Sequence, residues 1–156
     1  MKRIVMYILL LGAALAVPVC GVDVGELLPV EVVQVYREGD YHVIATDVEA
    51  VGAGETIEDA IINLKESAAG MIYLDTANFL LIDESSKENV QELKDYLKPS
   101  VRVCIAGCEI EPEKVARFLR VHTPVLRLKD VSGENLAQKL LQEEKGYIFK
   151  NFEKRY

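Results

Sequence analysis

Apolar and polar positions follow three rhythms along this chain, and each predicts a different kind of element. The first is an unbroken apolar run. After Lys2 and Arg3, residues 4–22 carry no charge, and small residues fill the second half of the run up to Cys20. A cationic start, an apolar stretch and a small-residue end form the layout of an export leader.

The second rhythm has period two. Residues 30–36 (VEVVQVY) and 41–48 (YHVIATDV) alternate and are rich in β-branched side chains, so both read as strands. Arg37-Glu38-Gly39-Asp40 between them is a turn, which makes the pair a β-hairpin. Residues 101–106 (VRVCIA) alternate in the same way and predict another strand. Residues 71–74 and 78–82 are short apolar segments. Phe79-Leu80-Leu81-Ile82 lacks alternation, as expected of a strand covered on both faces.

The third rhythm is helical. Thr56-Ile57-Glu58-Asp59 is a capping start, Ile57, Ala60, Ile61, Leu64 and Ala68 follow at helical spacing, and Gly70 ends the element. Residues 49–55, with Gly52 and Gly54, read as the loop before it. Ser85-Ser86-Lys87-Glu88 opens a second helix that runs to about Leu97, with Val90, Leu93 and Leu97 inward and Pro99 as its stop. Pro112 begins a third, burying Val115, Phe118 and Leu119. Ser132 caps a fourth, with Leu136, Leu140 and Leu141 on its apolar side and Gly146 at its end. The residues that follow (YIFKNFEKRY) read as a terminal strand or a docked end. The order ββ-α-β-α-β-α-α predicts an α+β (or α/β) single domain, a mixed sheet with an N-terminal β-hairpin and helices packed on it.

The leader admits three fates. Ala14-Leu15-Ala16 fits a cleavage site after Ala16, Cys20 is a candidate for lipidation, and a retained run is about long enough to span a bilayer. Residues 1–20 are therefore read as signal peptide or membrane anchor and 26–150 as one globular domain. The domain is expected outside the cytoplasm, membrane-associated or secreted. Removing Lys2 and Arg3 from the 18 Lys+Arg leaves 16 against 25 Asp+Glu, a net charge of about −9. That balance argues against nucleic acid and anionic lipid as partners.

Candidate chemistry is sparse. Cys104 and Cys108 form a C-x3-C pair, a candidate disulfide in an oxidising compartment and not the C-x-x-C redox motif. His42 alternates onto the polar side of its strand and reads as exposed, and His122 follows a helix. Neither histidine belongs to a metal-binding spacing. Gly52-Ala53-Gly54 lacks the lysine of a phosphate loop, Asp75 and Asp83-Glu84 lack EF-hand spacing, and no G-x-S-x-G occurs. Ser85, Ser86 and Ser132 are accounted for as helix caps, and Glu58-Asp59 and Glu143-Glu144 as solvated helix positions. No catalytic, cofactor or metal site is expected.

From Cys20 onward the order of features resembles the N-terminal domain of the spore germination receptor C subunits, the Ger(x)C lipoprotein family. Cys20-Gly21-Val22-Asp23 and Glu26-Leu27 correspond to the family's lipidated start and acidic lead-in. Gly54-Glu55-Thr56-Ile57-Glu58-Asp59-Ala60 corresponds to its G-x-T-x-x-E-A helix start. Tyr73-Leu74-Asp75-Thr76 stands at its Y-L-x-H segment, and residues 101–107 (VRVCIAG) at its V-x-V-x-I-A-x-G strand. The resemblance implies a non-catalytic, membrane-associated protein that contacts other germination receptor or membrane-complex subunits. Two alternatives stand beside it: a scaffolding or ring-building module of a sporulation or secretion membrane complex, and a thiol-redox protein using Cys104 and Cys108.

Overall fold

The hairpin forms where period-two alternation predicts it. Strand β2 (Val32–Glu38) pairs antiparallel with β3 (Tyr41–Thr46), with Glu38 opposite Tyr41, so the loop is Gly39-Asp40 alone. Gly39 has φ +60°, which favours glycine at the first central position of a two-residue hairpin turn. In this computed structural model, residues 27–107, 110–132 and 135–151 are described. The leader, Cys20 and Cys108 lie outside them.

Nine strands and three helices are present among the described residues. In chain order they are β1 (Leu27–Pro29), β2, β3, β4 (Val51–Gly54), α1 (Ile57–Ser67), β5 (Met71–Tyr73) and β6 (Phe79–Asp83). Then come α2 (Val90–Leu93), β7 (Arg102–Ala106), α3 (Pro112–Val121), β8 (Gln138–Glu143) and β9 (Gly146–Asn151). Seven strands make one mixed sheet in the order β4-β3-β2-β6-β7-β8-β9, and β1 pairs with β5 in a separate two-stranded parallel sheet. The strands β2, β6, β7 and β8 run parallel, with antiparallel strands outside them on both flanks. The fold is therefore α+β with a mixed sheet, the N-terminal hairpin and the covering helices as expected.

Register sorts the core into two layers. Val33, Val35, Ile44, Leu80, Ile82, Val103 and Ile105 share one face and pack against α1 and the segment through α2. Val32, Leu81, Cys104, Ala106 and Leu140 share the other and pack against Val115, Ala116 and Leu119 of α3. Phe79 to Ile82 are all buried, so β6 is covered on both sides. Helix α1 starts as its sequence dictates: the Thr56 hydroxyl accepts from the Asp59 N–H at 3.1 Å.

Four expectations are corrected. Residues 51–54 are the edge strand β4, because Gly52 and Gly54 let the backbone of α1 come within contact of the strand. The second helix is a 3-10 segment, Glu84–Asn89, followed by the single turn of α2. Its cap is Asp83, which accepts from the Ser85 N–H, while Ser86 is wholly buried and its hydroxyl has no partner among the described residues. The fourth helix is instead the hairpin β8–β9, and Ser132 caps nothing: its N–H donates to Asn135 Oδ1. A parallel ladder with β7, Ile105 beside Lys139 and Ala106 beside Leu140, supplies hydrogen bonds that local helical spacing could not foresee.

Among the described residues two register pairs join β8 to β7, with the Gly107 N–H donating to the Leu140 C=O at 2.9 Å just beyond them, whereas β8 and β9 pair over six. The first half of β7 has a different neighbour. After α3 the chain turns back beside it, so that Val103 N–H donates to Leu126 C=O at 2.9 Å and Leu128 N–H to Val101 C=O at 2.8 Å. Leu126 is half-buried and Leu128 buried, while Val125 and Arg127, which alternate with them, are exposed.

Candidate interaction surface

Helix α3 is amphipathic, and its outer side is unlike the rest of this acidic molecule. Pro112 opens the helix, and Val115, Ala116 and Leu119 are spent on the sheet. That leaves Lys114, Arg117, Phe118 and Val121 along the flank that meets β9. Tyr147 and Phe149, two apart on β9, project together toward it. The Phe118 ring centroid lies 5.7 Å from Tyr147, 5.6 Å from Phe149 and 4.5 Å from His122. Lys114, Arg117, Phe118, Val121, His122 and Tyr147 line a shallow depression of about 350 Å³. The Glu111 carboxylate, 2.6 Å away, raises the Lys114 pKa and keeps that ammonium charged. Partly exposed aromatics beside arginine and lysine are the composition that protein interfaces favour.

The residues singled out for chemistry are scattered. Cys104 sits inside β7 on the face covered by α3, and burial pushes its thiol well above the ordinary cysteine range. Its candidate disulfide partner Cys108 lies outside the described residues. Native Cys104 is therefore expected to resist a thiol-specific alkylating reagent at pH 8 and to react within minutes once the chain is unfolded. Peptide mass after alkylation checks this; equal labelling in both states would show the thiol to be accessible.

His42 is a correction. It does share a face with Ile44 and Thr46, opposite Tyr41, Val43 and Ala45, but that face is covered and only 8% of the residue is exposed. Its Nδ1 lies 3.4 Å from Nδ2 of Asn89, at the end of the 3-10 segment 47 positions away. Cys104 belongs to the opposite face of the sheet, so His42 and this thiol do not meet. His122 lies where expected, just past α3, exposed and against Phe118.

Gly52-Ala53-Gly54 is strand, with the α1 backbone packed against its two glycines. Asp83 and Glu84 are engaged locally, Asp83 with Ser85 and Glu84 with Lys87 and Lys139; these two lysines lower the Glu84 pKa. Among the described residues, no three His, Cys, Asp or Glu side chains stand close enough to hold a metal ion.

Phe118 was legible as a helix position but not as part of a surface, while Tyr147 and Phe149 fall in the stretch read as a terminal strand or a docked end, which is the strand β9. The apolar run Tyr147-Ile148-Phe149 after Gly146 was the available signal. No protein-family model, curated protein or solved structure matches this chain.

Proposed function

We propose that this chain is a non-catalytic interaction domain tethered to the outer face of a membrane, acting in germination receptor assembly or signalling. The observation that carries the reading is the Phe118–Tyr147–Phe149 cluster with Lys114 and Arg117 at its rim. It offers a half-exposed aromatic surface with cations beside it, while His42 and Cys104 are enclosed on opposite sides of the sheet. The leader and the ordered Ger(x)C-like segments supply the membrane and germination context. Tyr147→Ala combined with Lys114→Glu is expected to leave the melting temperature of the domain little changed. In a spore-former carrying the gene, the variant should slow nutrient-triggered germination as much as deletion does. Unchanged germination timing on deletion would remove the reading.

A scaffolding or ring-building role is the second reading. It is favoured by the position of β9 at one end of the seven-stranded sheet among the described residues, whereas at the other end the Val51 and Ala53 carbonyls of β4 accept from Ser67 and Asn63 of α1. Self-association in size-exclusion chromatography would favour it over the first. The thiol-redox alternative gains nothing from Cys104, whose environment opposes the reactive thiolate.

A further inference from the structure

Charge is not spread evenly over this chain. Between residues 55 and 95 there are ten carboxylates and three lysines, on α1, α2 and their connections. Residues 114–129 hold Lys114, Arg117, Arg120, Arg127 and Lys129 and no Asp or Glu. These belong to α3, on the other side of the sheet, and to the loop that follows it. The two most exposed large hydrophobic residues described, Val121 at 74% and Val125 at 76%, lie in the same stretch.

The stretch is also held firmly. The Arg102 guanidinium donates to the Val125 carbonyl at 3.0 Å, Gln138 Oε1 accepts from the Val125 N–H at 3.1 Å, and Leu126 and Leu128 bond to β7. Val125 and Arg127 alternate with inward Leu126 and Leu128, so both project outward from a fixed base.

The end of the molecule where α3 stops is also the end where the leader joins it. Arg120, in the last turn of α3, pairs through its guanidinium with the Glu31 carboxylate. Glu31 is four residues beyond Leu27, the first described residue, and four residues span at most about 14 Å. A chain tethered through residues 1–26 therefore enters the described fold at the end that also carries Val121, Val125 and Arg127.

We propose that the 121–129 end of the domain seats on the anionic lipid surface of the bilayer that holds the tether. Val121 and Val125 enter the interfacial region, Arg127 and Lys129 lie against lipid phosphates, and the acidic α1 side faces away. Net charge alone argues for repulsion, but its segregation gives the molecule an orientation. The proposal rests on the membrane-tethered reading above and adds to it a face and a lipid chemistry.

The protein contains no tryptophan, so a single one reports its own position. Full-length Val125→Trp and, as a control on the acidic side, Ile62→Trp would be returned from detergent into two sets of vesicles. One set is phosphatidylcholine alone, the other phosphatidylcholine with a third phosphatidylglycerol, each with brominated acyl chains. Val125→Trp should be quenched strongly in the anionic vesicles and weakly in the neutral ones, with Ile62→Trp unquenched in both. Adding Arg127→Glu and Lys129→Glu should weaken the seated state by about fivefold for each cation removed, before the effect of the added charge.

Flotation of the vesicles is scored separately. A chain that floats while Val125→Trp stays as unquenched as Ile62→Trp overturns the lipid-seated face and leaves the tether standing. A chain that floats with neither lipid removes both readings. Loss of quenching with a rise in mass by light scattering would also overturn it, in favour of a protein partner on this face.

Discussion

Replacing Gly52 with alanine is expected to destabilise the fold by about 3 kcal/mol or more, because a Cβ there has nowhere to go. Built on the existing backbone, it would lie 2.2 Å from the Ala60 carbonyl oxygen and 2.2 Å from the Leu64 nitrogen. Both are backbone atoms in the middle of α1, so no side chain can rotate away. Either the helix lifts from β4, or β4 leaves β3; each exposes part of the Ile57, Ala60, Ile61 and Leu64 face. Thermal unfolding of the variant should show a midpoint lower by on the order of 10 °C. A shift of one or two degrees would mean that α1 does not ride on the strand as closely as described. Gly54 faces the same helix, with Ala60 N at 2.5 Å from its would-be Cβ, so Gly54→Ala should err in the same direction.

Leu140→Ala is expected to cost about 3 kcal/mol, within the range for emptying a fully enclosed leucine site. Leu140 is completely buried, beside Ala106 on one side and Phe149 on the other. Leu141, the next residue, projects to the opposite face and is half-buried, so Leu141→Ala should cost only about 1 kcal/mol. The contrast between neighbours is diagnostic. On a helix carrying Leu136, Leu140 and Leu141 along one side, both truncations would cost similar amounts. Denaturant midpoints of the two variants decide between strand and helix, and equal losses would contradict the hairpin β8–β9.

That misreading shows where local pattern stops being informative. Leu136, Leu140 and Leu141 fit a helical stripe, and nothing between Ser132 and Gly146 forbids one. The deciding interaction is the ladder with β7, more than 30 positions earlier, and no local window contains it. The first hairpin and α1 were legible because their signals are self-contained: alternation around Gly39-Asp40, and a cap at Thr56 followed by apolar spacing. His42 falls between these cases. Its separation from Tyr41, Val43 and Ala45 was read correctly, but the side it lies on was read as polar and exposed, because the Asn89 segment that covers it is distant in the chain. Gly52 and Gly54 were read as loop signals because glycine marks turns and close backbone approaches alike. The exposed cluster was the least legible feature, since Phe118 has the spacing of a core residue and meets Tyr147 and Phe149 only through the β8–β9 pairing.

The terminal hairpin has a further consequence for the native ensemble. Its two strands hold each other over six residue pairs but grip their neighbour over two, since residues 126–128 already occupy the rest of that border. Among the described strands this ribbon is joined to its neighbour by the fewest register pairs, so its detachment as a unit is a low-cost local opening. Each such event would uncover the packing around Ala106 and Leu140 and take Tyr147 and Phe149 of the aromatic surface away from Phe118. Partner capture on that surface would then lock the ribbon shut, so that binding and local order rise together.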